Sequence, residues 1–131
     1  MGKIDRLFTT IVTDDVVKTT DFYLSFLPLK RHFDSDWFVI LVPIDGPLLE
    51  LAIMDRANDI VPETMKSGQS NGMLTFVVED VEIVFGQAKL MGVDIVEPPT
   101  AMFYGQMRML VRDPNGMILD ISSPTTPVLM D

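Results

Sequence analysis

Residues 8–16 read FTTIVTDDV, and residues 73–81 read MLTFVVEDV. Each stretch sets an apolar-rich strand before a pair of acids and a valine that opens a helix. A second echo follows: LVPIDGPLLEL at 41–51 returns as LVRDPNGMILDI at 110–121, one residue longer in its turn. The chain therefore carries one plan twice: strand, acidic cap, helix, then strands closing on an acid between aliphatic neighbours. Glu50 stands in Leu49-Glu50-Leu51 and Asp120 in Leu119-Asp120-Ile121. A lone acid within an apolar strand is costly to bury. Its recurrence at matching places makes Glu50 and Asp120 the first candidate site residues.

Outward from these stretches the first copy predicts a strand over 7–13, with Asp14 and Asp15 offering caps to a helix. The helix spans 16–27, with a stripe of Val16, Thr20, Tyr23 and Leu27 widened by Val17 and Phe26, and Pro28 ends it. A short edge strand at 31–33, a strand at 37–43, the turn Asp45-Gly46-Pro47 and a strand at 48–53 complete the copy. In the second copy a strand at 73–78 leads to Glu79 and Asp80. These cap a helix whose face is Val81, Val84, Phe85, Ala88 and Met91, stopped by Gly92. A short strand at 93–96 ends before Pro98-Pro99, and strands at 106–111 and 117–122 flank the turn Asp113-Pro114-Asn115-Gly116. The expected organisation is a single α+β domain. Its modules span 4–54 and 72–123, joined by a polar surface linker, 55–71, with room for one helical turn, and followed by a loosely held tail, 124–131.

At 131 residues, 47% apolar and 22% charged, the chain is an ordinary globular sequence. It contains no cysteine, which excludes disulfides, zinc-thiolate sites and thiol nucleophiles and fits a cytoplasmic location. The opening MGKIDRLF lacks the apolar core of a signal peptide, and Arg6 stands where a myristoylation motif wants Ser or Thr. No apolar run approaches the ~20 residues of a membrane span. A net charge of −9 with ten scattered Lys and Arg argues against nucleic acid as a partner.

Four segments carry a resemblance. They are Thr20-Asp21-Phe22-Tyr23 after Asp14-Asp15, the strand LLEL ending at Leu51, Gly105-Gln106-Met107-Arg108-Met109, and DPNG followed by MILDI. In order and spacing they resemble the vicinal oxygen chelate superfamily, which includes glyoxalase I, bleomycin-resistance proteins and extradiol dioxygenases. The resemblance implies two βαβββ modules forming a curved mixed sheet around a ligand cup, and a homodimer. In metal-dependent members each module supplies a ligand from its first strand, usually His, and one from its last, usually Glu. Those positions map onto Phe8 and Met73, and onto Glu50 and Asp120. Phenylalanine cannot coordinate, and a thioether is a soft donor unsuited to the hard ions that carboxylates prefer. No metal and no cofactor is expected. His32, off the mapped strands, is read as a surface residue.

Strand alternation extends the site. If Glu50 looks into the cup, so do Leu48 and Ala52. A four-residue DPNG turn pairs Arg112 with Met117, sets Met109 opposite Asp120, and turns Arg108 and Arg112 away. The ligand-binding candidates are thus Phe8, Thr10, Phe38, Ile40, Glu50, Met73, Thr75, Met107, Met109 and Asp120, with Tyr104 at the lip. No residue is assigned a catalytic role. The same apolar stripe also describes a packed core, and an acid bonded to backbone amides would be structural. Two acids without basic neighbours favour a solvated cavity.

Two functions follow. The first is a metal-independent small-molecule-binding protein, resembling bleomycin-resistance proteins, that takes a cationic or aromatic ligand in an acidic, Met- and Phe-lined cup. The alternative is a lyase, isomerase or dioxygenase-type enzyme using a weakly held divalent metal at Glu50 and Asp120, or those carboxylates as an acid–base pair.

Overall fold

The computed structural model describes residues 3, 4, 6–66 and 73–125. They divide into two compact units, one up to Gln69 and one from Ser70. Each is a βαβββ module with its own four-stranded mixed sheet, and the class is α+β. Residues 67–71 of the expected linker and the tail from 126 onward lie outside the described residues.

The first unit runs β1 (Phe8–Thr13), α1 (Val16–Phe26), β2 (Leu29–Phe33), β3 (Phe38–Pro43) and β4 (Glu50–Asp55), with sheet order β1-β4-β3-β2. Apart from Phe8, every residue of β1 is β-branched, which suits a pleated strand. Asp15 caps α1 by accepting from the Lys18 N–H at 3.0 Å, while Asp14 pairs with Arg56 at 2.8 Å. The helix buries Val16, Thr19, Thr20, Tyr23 and Phe26. Val17, expected on that stripe, is 68% exposed, and Thr19 takes the inward place. Its hydroxyl meets that of Thr13 at 2.9 Å, which fixes the Thr13 side of β1 as the helix side. Alternation then puts Ile11 on that side with its partner Ile53, beside Leu51, Leu41 and Val39, all buried. The opposite face carries Phe8, Thr10 and Val12 on β1, Glu50, Ala52 and Met54 on β4, and Phe38, Ile40 and Val42 on β3. Beyond β4, a 3-10 turn at Glu63–Met65 is held by Arg56, which donates to the Met65 and Val12 carbonyls at 2.8 and 3.1 Å.

The second unit runs β5 (Met73–Val77), α2 (Val81–Met91), β6 (Asp94–Met102), β7 (Gln106–Arg112) and β8 (Ile118–Pro124), with order β5-β8-β7-β6. Asp80 caps α2 by accepting from the Glu82 N–H at 2.9 Å, and Gly92, at φ 68°, ends it. Strand β6 does not stop before Pro98 and Pro99 but runs through them. It lies on the sheet edge, where missing amide donors are tolerated, and its pairing with β7 shifts twice along that stretch.

The hairpin of β7 and β8 differs from the expected register by one residue. The Asp113 N–H donates to the Met117 carbonyl at 2.9 Å, closing a three-residue loop that ends on Gly116 at φ 82°. Asp113, 5% exposed, also accepts from the Asn115 and Met117 amides at 2.8 and 2.9 Å. Arg112 therefore faces Ile118, Leu110 faces Asp120, and Met109 faces Ile121. The Ser123 hydroxyl accepts from the Val81 N–H at 3.1 Å, so Ser123 and its partner Met107 lie on the helix side. Met109 and Val111 join them there, beside Leu119 and Ile121, each 0% exposed. Arg108 and Arg112, expected to point away from Asp120, share its face.

Candidate functional site

In the first unit β1 and β4 are parallel neighbours, with Phe8 directly abreast of Glu50. Arg6 stands two residues before Phe8, and its guanidinium grips the Glu50 carboxylate with two hydrogen bonds. One runs from Nε to Oε2 at 2.6 Å and the other from Nη2 to Oε1. The same guanidinium lies 4.6 Å from the centroid of the Phe8 ring. The Glu50 side chain is 9% exposed and that of Arg6 54%. Arg6 holds the Glu50 carboxyl below its ordinary value, first through the hydrogen bonds and then through charge. Partial burial opposes that shift, and nearby His32 adds to it.

An open depression of about 470 Å³ adjoins the pair, lined by Arg6, Leu7, His32, Leu48 and Glu50. His32 lies where β2 slips register between Arg31 and Phe33. On the same face as Glu50, Ile40, Val42 and Ala52 form a buried apolar cluster, with Phe38 packed against it. The Phe38 ring lies 6.1 Å from that of Phe33 and 5.4 Å from that of Trp37. Thr10 is half-buried on this face, one alternation from Phe8.

In the second unit Asp120 is 8% exposed, and both its oxygens are engaged by hydroxyls. Oδ2 accepts from Thr75 at 3.2 Å and Oδ1 from Ser122 at 2.5 Å. Thr75, not Met73, is abreast of Asp120; Met73 faces Ile118 and is 52% exposed. On the Asp120 face Arg108 pairs with Glu97 at 3.4 Å, and Arg112 with Asp94 at 3.3 Å. The buried Arg108 Nε and Gln106 Oε1 have no hydrogen-bond partner among the described residues. Met107 and Met109 lie on the other side of the sheet, under α2, where the one-residue register difference puts them. Tyr104 is half exposed beside Gly105 in the β6–β7 turn, its ring 5.3 Å from that of Phe103 in an edge-on contact.

The family model for the Glyoxalase/Bleomycin resistance protein/Dioxygenase superfamily matches residues 3–121. The chain belongs to that superfamily. No curated protein matches the sequence. Among solved structures, the chain is similar to a superfamily member from Sphaerobacter thermophilus DSM 20745, at 23% identity and a TM-score of 0.75, covering 92% of this chain and 98% of that one. It is also similar to an integron cassette protein from the mobile metagenome of V. Cholerae, at 21% identity and 0.73, covering 94% and 98%. A third is TioX from Micromonospora sp. ML1, at 17% and 0.70, covering 97% and 100%. These likenesses establish the fold.

Within the superfamily's scaffold, the donor set on these strands does not fit a divalent metal. A phenyl ring is abreast of one acid, and that acid is already gripped by a guanidinium; the other acid is bonded to two hydroxyls. Among the described residues no three His, Cys, Asp or Glu side chains cluster closely enough to hold a metal ion, and no helix is long and apolar enough to cross a membrane.

Sequence reasoning brought Phe8, Thr10, Phe38, Ile40 and Glu50 to one face but missed Arg6 and His32. Arg6 had a signal: it stands two positions before Phe8, on the same side by alternation. His32 had none, because a strand slip cannot be read from its neighbours.

Proposed function

We propose that the protein binds a small aromatic or cationic organic molecule, without a metal ion, on the Glu50 face of the first unit. One observation carries this reading: Glu50 and Phe8 together already hold a planar cation, the Arg6 guanidinium, between a carboxylate and an aromatic face. The adjoining depression offers Leu7 and Leu48 to an apolar body, and a net charge of −9 raises the local concentration of cations. Against the acid–base alternative stands the state of Glu50. A carboxyl kept ionised by Arg6 is a poor proton donor near neutral pH.

The test pairs metal analysis with a thermal-shift panel of aromatic amidines, aromatic ammonium compounds and neutral aromatics. The expected result is protein without stoichiometric transition metal, a melting temperature indifferent to chelator, and stabilisation by at least one aromatic compound that is lost in Glu50→Gln. Stoichiometric zinc, nickel, iron or manganese released by Glu50→Gln, with no response to any aromatic, refutes the reading.

A further inference from the structure

We infer that Glu50 and Phe8 form a subsite for a guanidinium or amidinium group, that Arg6 is its built-in occupant, and that a ligand carrying such a group binds by displacing Arg6. The inference rests on the binding role proposed above and narrows its ligand class.

The two partners of the ion pair are held very differently. Glu50 opens β4, a strand with β1 on one side and β3 on the other. Its carboxylate is 9% exposed and stays where the sheet puts it. Arg6 precedes β1 and lies outside any strand. Its side chain is 54% exposed, and Ile4 and Leu7 near it are 85% and 86% exposed, so neither apolar side chain is held by burial. The anchor is fixed and the occupant can leave.

The chemistry of the subsite selects what replaces it. A neutral guest that pushed Arg6 aside would leave a half-covered carboxylate without a counter-charge, and an anionic guest would face it directly, both unfavourable. A guest must therefore bring a cation. An ammonium is a point charge, whereas a guanidinium or amidinium is a flat fork that donates two parallel hydrogen bonds and stacks on a ring. That is the arrangement Arg6 displays, with two bonds to Glu50 and its Cζ 4.6 Å above Phe8. The body of the guest has room beside the pair, in the depression walled by Leu7, Leu48 and His32. Because Arg6 is tethered, it competes at an effective concentration on the order of millimolar. The tether thus sets a threshold that weakly held cations do not pass.

Benzamidinium is the probe, titrated calorimetrically into the full chain and into Arg6→Ala, Arg6→Gln and Arg6→Ala/Glu50→Gln. With the tethered competitor gone, both single variants should bind it at least about tenfold tighter than the parent. The double variant should lose that gain, and benzylammonium should gain less than benzamidinium. In the parent, the NMR signal of the Arg6 Nε–H should leave its bonded position as benzamidinium saturates the protein, a readout that needs no variant. Equal or weaker binding by both single variants, or an Arg6 signal that stays in place at saturation, overturns the inference. If other aromatics still bind through Glu50, only the displacement idea falls and the binding role stands. If no aromatic binds and a stoichiometric metal is found, the binding role falls as well.

Discussion

Met109→Ala separates a residue that lines a cup from one that builds the core. Met109 is 0% exposed on β7, an interior strand of the second sheet, and is paired with Ile121, also 0% exposed. Its side chain lies on the Ser123 side, beneath α2. Truncating a fully buried methionine removes its transfer free energy and leaves a cavity, a loss of about 2–5 kcal/mol, centrally about 3. Unfolding entropy of about 2.1 cal/mol/K per residue over 131 residues gives about 0.28 kcal/mol/K, so about 3 kcal/mol lowers the melting temperature by about 11 °C. Met109→Leu, which keeps the volume, should lose less than about 1.5 kcal/mol. Leu110→Ala, half-buried opposite Asp120, should lose less than half as much as Met109→Ala. Scanning calorimetry and denaturant midpoints of the three variants give the order directly. A Met109→Ala loss below about 1 kcal/mol, or a larger loss for Leu110→Ala, refutes the observed register and restores the one expected from a four-residue turn.

Asp120→Asn keeps an acceptor for Thr75 or Ser122 and should lose less than about 1 kcal/mol, whereas Asp120→Ala leaves the 3%-exposed Ser122 hydroxyl without its acceptor and should lose about 1–3 kcal/mol, read from urea midpoints. The Glu50 carboxyl is depressed in the folded state from its ordinary 4.5, so the stability it contributes is present above that value and disappears as pH falls through the depressed one. The midpoint difference between the parent and Glu50→Gln should therefore be widest near neutral pH and vanish in acid; a difference that grows on acidification is inconsistent with the Arg6 pair. Phe8→His alone should gain no nickel affinity, because Arg6 occupies the neighbouring carboxylate. Phe8→His with Arg6→Ala should show a nickel-dependent rise in melting temperature, and equal responses in the two proteins would mean that Arg6 does not hold Glu50.

What could be read from sequence was set by period and repeat. In the first unit the alternation that groups Phe8, Phe38, Ile40 and Glu50 holds without slippage between β1, β4 and β3, so counting by twos finds the right face. In the second unit the same counting starts from a turn, and turn closure depends on one hydrogen bond. The Asp113 side chain gathers the Asn115 and Met117 amides, and its own N–H takes the Met117 carbonyl. That displaces the pairing by one and exchanges Met109 for Leu110 on the Asp120 face. Pro98 and Pro99 stopped the expected strand because propensity says nothing of edge position, where β6 lies. The acids drew attention as unpaired charges, yet Glu50 is paired by Arg6, which lies before β1 and is brought to that side only by carrying the alternation back from Phe8.

The Asp113–Met117 closure also constrains how this hairpin can change length. Side chains repeat every two residues, and β7 carries Met107, Met109 and Val111 on one side and Gln106, Arg108 and Leu110 on the other. A residue inserted within β7 or β8 would have to be expelled as a bulge or would turn the strand beyond it over, driving a guanidinium under α2 and methionines outward. A residue inserted among Pro114, Asn115 and Gly116 only lengthens the loop and leaves both faces as they are. Changes in length are therefore absorbed by the loop and resisted by the strands on either side of it.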